Sequence, residues 1–178
     1  MNVFVLNSGR CGSTTFIRAC AHVRNYSAGH ETRLRLIGPQ RLAYPQWHIE
    51  ADNRLSWYLG RLDRIDGDRA FYVHLQRDPE STAASFARRM DFGIMQAYRD
   101  GILLGGSDGQ GDLDLTRDYL DTVRANIELF LRDKSRRLDF RLETAKTDFA
   151  EFWQCIGAEG DLEAALAEWD VSYNASAE

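Results

Sequence analysis

The short apolar run Val3–Leu6 passes at once into the small-residue segment NSGRCGSTT, residues 7–15, and this order most restricts the fold. A short, β-branched apolar run is typical of a buried strand. Apolar residues at helical spacing follow over residues 13–23. A strand that feeds a helix through a short loop indicates a parallel sheet with crossover helices. We therefore predict an α/β fold.

The rest of the chain repeats the order of strand, polar loop and helix. Further strands are predicted at residues 46–50, 70–75 and 138–142. Helices are predicted at residues 52–65, from Pro79 onward, and at residues 114–134, 148–156 and 161–169, with a glycine-rich loop at residues 101–112. No internal repeat or linker divides the chain, so we expect one domain, residues 1–178. Its expected architecture has three layers, α/β/α, with the parallel sheet in the middle. Because the first strand runs through a small-residue loop into a helix, we expect the P-loop nucleotide-binding type of this fold.

Composition narrows the classes of partner and compartment. With 44% hydrophobic and 28% charged residues, the chain is expected to be soluble and globular. A net charge of -5 argues against nucleic acid or an anionic membrane held by bulk charge. Three cysteines without paired spacing indicate a reducing compartment. No leader and no stretch of membrane length is evident, so we expect a cytoplasmic protein without a membrane span.

The segment after the first strand has the chemistry of an anion cradle. Gly9 and Gly12 allow close backbone approach and positive φ, and Arg10 adds a planar cationic fork. Helix-start N–H groups favour negative charge. The predicted cofactor-binding residues here are Ser8, Gly9, Arg10, Cys11, Gly12, Ser13, Thr14 and Thr15. The alternative is an ordinary tight turn with a Ser/Thr cap. Cys11 is either a reactive thiol with a lowered pKa or a small residue that fits.

A second candidate anion site follows the predicted strand at residues 70–75. Arg77 stands where that strand ends, and Ser85 lies eight positions later, in the second turn of the helix that Pro79 begins. Ligands of open parallel sheets bind at the carboxyl ends of strands. The two loops could therefore hold two anionic groups of one ligand. The alternatives are a salt bridge of Arg77 with Asp78 or a neighbour, and a solvated position for Ser85.

The motifs GRCGSTT and RDPESTAAS, in this order and spacing, resemble those of sulfotransferases that use 3′-phosphoadenosine 5′-phosphosulfate (PAPS). The resemblance implies that the first loop cradles the 5′-phosphosulfate and that Arg77 and Ser85 grip the 3′-phosphate. It implies PAPS as donor and 3′-phosphoadenosine 5′-phosphate (PAP) as product. It covers residues 2–89, whereas the basic loop that covers adenine in many relatives is not evident. Trp169 or Tyr173 would either stack on adenine or pack on the core.

The segment NYSAGHETR is similar to tyrosylprotein sulfotransferases and their bacterial relatives, where Gly-x-Glu supplies the catalytic base. This implies Glu31 as the base. Arg10 would stabilise charge on the bridging and leaving oxygens, and Arg54 stands where relatives place a second catalytic cation. His30 and His48 remain alternative bases, because the cytosolic branch of the family uses a histidine. No Cys/His cluster offers a metal site.

The sequence thus predicts an enzyme that moves a sulfuryl group from PAPS to a hydroxyl or amine acceptor. One alternative is a kinase-like P-loop phosphotransferase that uses a nucleotide triphosphate. It requires a loop lysine, which is missing, and an acidic metal-holding residue, for which Asp78 is the candidate. The other alternative is a non-catalytic nucleotide-binding protein. Peptide, glycan, lipid and small-metabolite acceptors, as well as the oligomeric state, stay open.

Overall fold

A five-stranded, wholly parallel sheet forms the centre of the protein in a computed structural model that describes residues 1–106, 108–171 and 173. Its strands are β1 (Val3–Leu6), β2 (Ser27–His30), β3 (His48–Ala51), β4 (Phe71–Gln76) and β5 (Arg137–Arg141). They lie side by side in the order β2-β3-β1-β4-β5, so that β1 is central. The predicted α/β class with a parallel sheet is confirmed.

The described residues form seven α-helices around the sheet. They are α1 (Ser13–Cys20), α2 (Leu59–Ile65), α3 (Pro79–Ala87), α4 (Gly93–Ala97), α5 (Asp112–Leu131), α6 (Ala145–Cys155) and α7 (Leu162–Ala167). Shorter 3₁₀ turns span Gly38–Leu42, Asn53–Trp57, Gly67–Arg69, Leu142–Thr144 and Glu168–Asp170, and a π turn spans Tyr98–Ile102. Within the described part of the chain, no helix combines the length and apolarity needed to cross a membrane.

Helices cover both faces of the sheet because successive side chains of β1 point to opposite faces and all are buried. Val3 and Val5 pack in one core cluster with residues of α1, α6 and α7. Phe4 and Leu6 pack in a second cluster with residues of α2, α3, α4 and α5. The sheet is therefore the middle layer of three, as predicted, and the carboxyl ends of its strands form one edge.

Several predicted boundaries differ from the structure. The predicted helix at residues 52–65 is a 3₁₀ turn, Asn53–Trp57, followed by α2. The Asp52 carboxylate accepts a hydrogen bond from the N–H of Arg54 at 2.8 Å, and this close cap begins a tight turn. The strand predicted at residues 46–50 is β3, and β2 was not predicted. The glycine-rich loop at residues 101–112 begins within the π turn, and its Ser107 lies outside the described residues.

Trp169 and Tyr173, the two candidate adenine platforms, both pack against the protein. The Trp169 ring lies 5.3 Å from that of Phe140, within the aromatic cluster beneath α1. The guanidinium of Arg18 lies 4.3 Å from the centre of the Tyr173 ring, and the Tyr173 hydroxyl donates to Glu168 at 2.6 Å. Trp169 therefore packs on the core, as the alternative predicted, whereas Tyr173 packs on the side chain of Arg18.

Candidate functional site

The loop between β1 and α1 follows a course that requires glycine. Gly9 and Gly12 have φ angles of 96° and 93°, in the left-handed region that side chains disfavour. A Cβ atom on Gly12 would lie 2.7 Å from Leu142 Cδ1, and one on Gly9 would lie 2.9 Å from Phe86 Cζ. Gly12 is also the N-cap of α1, where no side chain of the described residues caps the helix. The first-turn amides of α1 therefore favour an anion.

Asn7 braces this loop from within. Its side-chain amide donates to Val5 O at 3.0 Å, and its carbonyl oxygen accepts from the N–H of Gly9 at 2.9 Å. The Cys11 thiol donates to the same oxygen at 3.5 Å. Asn7 is buried, so these bonds are shielded from water. Asn7 was not predicted as a site residue, although its position directly after a buried strand was an available signal.

Three side chains from elsewhere in the chain donate hydrogen bonds to the backbone carbonyl oxygens of Asn7 and Ser8. Tyr119 on α5 donates its hydroxyl to Ser8 O at 2.7 Å, and Asn53 donates to the same oxygen at 3.4 Å. Ser56 donates to Asn7 O at 3.1 Å. Because its carbonyl oxygens are bound by the protein, the loop is preorganised before any ligand arrives. No local sequence signal identified these three residues.

The side chain of Cys11 points into the core, so Cys11 can contact a ligand through its backbone alone. Burial raises the pKa of this thiol to about 12, opposite to the lowering that a helix start would produce. The interpretation as a small residue that fits is the one the structure supports.

A thiol-labelling experiment tests this difference. We expect iodoacetamide at pH 8 to modify Cys155, which is exposed, and to spare Cys11 and Cys20, which are buried. Mass spectrometry of the digested protein would locate the label, and addition of urea should make all three cysteines reactive. Rapid labelling of folded Cys155→Ser protein would contradict the expectation.

The second loop and the first meet through arginine side chains. Arg77 donates to Arg10 O at 3.3 Å, and the Arg10 Nε donates to Ser85 Oγ at 3.1 Å. Burial, and then the positive charges of Arg89, Arg77 and Arg88, lower the pKa of Arg10. Arg88 and Arg89, which follow α3 directly, were not predicted as site residues. Four guanidinium groups converge here in a chain of net charge -5, which makes this place attractive to an anion.

Asp78, the candidate metal-holding residue of the kinase-like alternative, caps α3. Its carboxylate accepts from the N–H of Ser81 at 2.8 Å and from the Ser81 hydroxyl at 2.6 Å. Its own N–H donates to the Glu143 carboxylate at 2.8 Å, which links the ends of β4 and β5. Asp78 therefore has a structural explanation in the turn that begins α3.

Glu31 and Arg54 form an ion pair at the same edge of the sheet. Arg54 Nη1 lies 3.1 Å from Glu31 Oε1, and both side chains are partly exposed. Glu31 follows β2 directly, with a φ angle of 53°, and its N–H donates to Ala51 O at 3.0 Å. The Asp52 carboxylate holds the N–H of Arg54. The fold thus brings together Glu31, the predicted base, and Arg54, the predicted second cation.

The two histidines differ in their surroundings. His48 is buried, with one ring nitrogen 2.8 Å from Ser27 Oγ and the other 2.9 Å from Glu50 Oε2. Both nitrogens are therefore used within the protein. His30 is exposed, and its Nε2 lies 3.0 Å from Ser13 Oγ. Since His30 precedes Glu31, this bond connects the segment of the Glu31–Arg54 pair to the first turn of α1.

The other predicted loop residues contribute in different ways. The Ser8 hydroxyl donates to Gly9 O at 3.4 Å, within the loop itself. Thr15 is buried in the first turn of α1, whereas Ser13 and Thr14 are partly exposed at the start of that helix. Ser13 and Thr14 therefore have the accessibility that a ligand contact requires.

Comparison with known proteins supports the fold. No protein-family model matches the chain, and no curated protein matches it either. The sulfotransferase domain from the curacin biosynthetic pathway superposes with a TM-score of 0.67 and 14% identity, over 96% of this chain and 78% of that one. Mouse sulfotransferase SULT7A1 complexed with PAP superposes with a TM-score of 0.59 and 13% identity, over 94% of this chain and 61% of the mouse protein. The chain has the fold of these sulfotransferases.

Proposed function

We propose that this protein is a sulfotransferase that moves a sulfuryl group from PAPS to a hydroxyl or amine acceptor. The observation that carries the proposal is the meeting of two motifs at one edge of a sulfotransferase fold. The contact between Ser13 and His30 joins the start of α1 to the segment that carries the Glu31–Arg54 ion pair. The mouse neighbour is a complex with PAP, which supports the same class of donor here.

In this proposal the protein holds the donor at two anionic groups of the donor. The amides of residues 9–14, with the Ser13 and Thr14 hydroxyl groups, hold the 5′-phosphosulfate at the start of α1. Arg77 and Ser85 hold the 3′-phosphate, and Arg88 and Arg89 add positive charge nearby. Arg10 connects these two places, because its guanidinium contacts Ser85 while its backbone belongs to the cradle.

Transfer then proceeds between two bound reactants. Glu31 accepts the proton of the acceptor hydroxyl or amine as the acceptor atom bonds to sulfur. The bond between sulfur and the bridging phosphate oxygen breaks, and its electron pair leaves with PAP. Arg54 orients the Glu31 carboxylate, and Arg10 stabilises negative charge on the donor oxygens. Holding both reactants in line can lower the barrier by about 7–11 kcal/mol in well-aligned cases.

Donor binding gives the first test of the proposal. We expect PAP to bind the wild type more tightly than ATP with magnesium does, as measured by calorimetry. Arg77→Ala should weaken PAP binding about 10- to 100-fold, because it removes a charge-assisted bond of about 1.5–3 kcal/mol. Arg132→Ala is the matched control, since Arg132 is 70% exposed beside Asp133 and is not part of the cradle.

The outcomes separate the proposal from its alternatives. A preference for magnesium–ATP would favour the kinase-like alternative and contradict the sulfotransferase. Tight PAP binding without transfer from ³⁵S-labelled PAPS to any of a panel of phenols, tyrosyl peptides, alcohols and amino sugars would favour a non-catalytic nucleotide-binding protein. Labelling of one acceptor class would identify the substrate and supply the assay for the variants discussed below.

A further inference from the structure

A fully buried carboxylate, Glu50, lies beneath the segment that carries Glu31. Glu50 belongs to β3, and its side chain is 0% exposed. It accepts from the Thr32 N–H at 2.7 Å, from the Thr32 hydroxyl at 2.7 Å, and is bonded to His48 Nε2 at 2.9 Å. Burying a carboxylate is costly unless hydrogen bonds compensate it. Two of these three bonds go to the residue that follows Glu31.

The backbone at Glu31 needs such support. Its φ angle of 53° lies in the left-handed region, which residues other than glycine rarely adopt and which persists where neighbours enforce it. Ala51 O accepts the N–H of Glu31, and the Glu50 carboxylate accepts the N–H of Thr32. Two consecutive residues of β3 therefore hold the two peptide groups on either side of the Glu31 side chain.

Gly29 and His48 pack closely around the Glu50 carboxylate. A Cβ atom on Gly29 would lie 2.4 Å from Thr32 Cγ2 and 2.9 Å from Glu50 Oε2, so a larger residue would displace both. His48 joins Glu50 to Ser27 on β2 through its two ring nitrogens. The result is one chain of hydrogen bonds from the first residue of β2 to Thr32.

We propose that Glu50, acting through Thr32, is a positioning residue for the Glu31 carboxylate. Its two bonds set the direction of the backbone at Glu31, and that direction brings the carboxylate to Arg54 at 3.1 Å. Glu50 itself is shielded from any acceptor. The inference rests on the proposed function, because it assigns Glu50 to the geometry of that reaction.

Conservative variants test this inference without removing the core. Glu50→Gln keeps the shape but replaces one acceptor oxygen by a donor, and Thr32→Val keeps the N–H but removes the hydroxyl. With ³⁵S-labelled PAPS and the acceptor class found in the panel, we expect kcat to fall about 10- to 100-fold, as misplacement of a reacting group by about 1 Å does. PAP affinity by calorimetry should change less than twofold, and Thr32→Ser should restore most of kcat.

Amide hydrogen exchange gives a second readout that needs no acceptor. In Glu50→Leu, which removes both acceptor oxygens, the peptide that contains Thr32 should exchange at least tenfold faster, while the peptide that contains β1 exchanges as in the wild type. A lowered melting temperature with unchanged kcat and unchanged exchange at Thr32 would overturn the inference alone. Absence of transfer by the wild type would overturn the proposed function and the inference with it.

Discussion

Glu31→Gln is expected to lower kcat for sulfuryl transfer by about 10²- to 10⁴-fold, the usual contribution of a positioned base. The amide has the size of the carboxylate and its oxygen can still accept from Arg54, which lies 3.1 Å from Glu31. It cannot take the proton of the acceptor. PAP affinity should therefore stay close to that of the wild type, and steady-state kinetics with ³⁵S-labelled PAPS would measure the loss.

His30→Gln is the matched comparison for Glu31→Gln. His30 precedes Glu31 and contacts Ser13 in the cradle, so it is the histidine placed to act as the base instead. If His30 is the base, its replacement causes the larger loss of kcat, and Glu31→Gln stays within about threefold of the wild type. That order of effects would contradict the assignment of Glu31. His48 is a weaker competitor because Ser27 and Glu50 occupy both of its ring nitrogens.

The parts of the fold that were predicted from sequence are those that local residues determine. β1 is a short apolar run, VFVL, and it begins and ends as predicted. Gly9 and Gly12 have the positive φ angles that an anion cradle requires. Arg77 and Ser85 both contact Arg10, because a strand end and the second helical turn after it lie at the same edge of the sheet.

The parts that were missed depend on contacts across the chain. β2 reads SAGH, which has few features of a strand, and only Gly29 in it is buried. Its place is set by pairing with β3 and by the fit of Gly29 against Thr32 and Glu50. Tyr119 reaches Ser8 from 111 residues away. Such a bond has no local pattern, so sequence periodicity could not indicate it.

Cys11 shows how a correct local argument can be outweighed. A helix start carries only about half a positive charge, and that charge lowers a thiol pKa when the thiol is accessible to it. Cys11 is buried in the cluster that contains Phe16 and Val5, where loss of hydration dominates and raises its pKa to about 12. Which effect wins depends on burial, and burial is decided by the packing of α1 on the sheet.

Asp52→Ala is expected to lower the free energy of unfolding by about 3–5 kcal/mol, because it leaves the buried guanidinium of Arg41 without its carboxylate partner. Arg41 Nη2 lies 2.5 Å from Asp52 Oδ2, with the two side chains 1% and 0% exposed. The same carboxylate caps the turn that carries Arg54, so its loss also loosens the cation beside Glu31. Urea denaturation followed by far-ultraviolet circular dichroism would measure the change in stability.

Two comparisons show whether burial of the charge is the cause. Asp170→Ala removes the partner of Lys146 in an exposed ion pair with 51% and 66% exposed side chains, and it should cost about 1 kcal/mol or less. Arg41→Met added to Asp52→Ala removes the stranded charge, so the double variant should regain part of the lost stability. If Asp52→Ala costs no more than Asp170→Ala, the Arg41–Asp52 pair does not support the segment that holds Arg54.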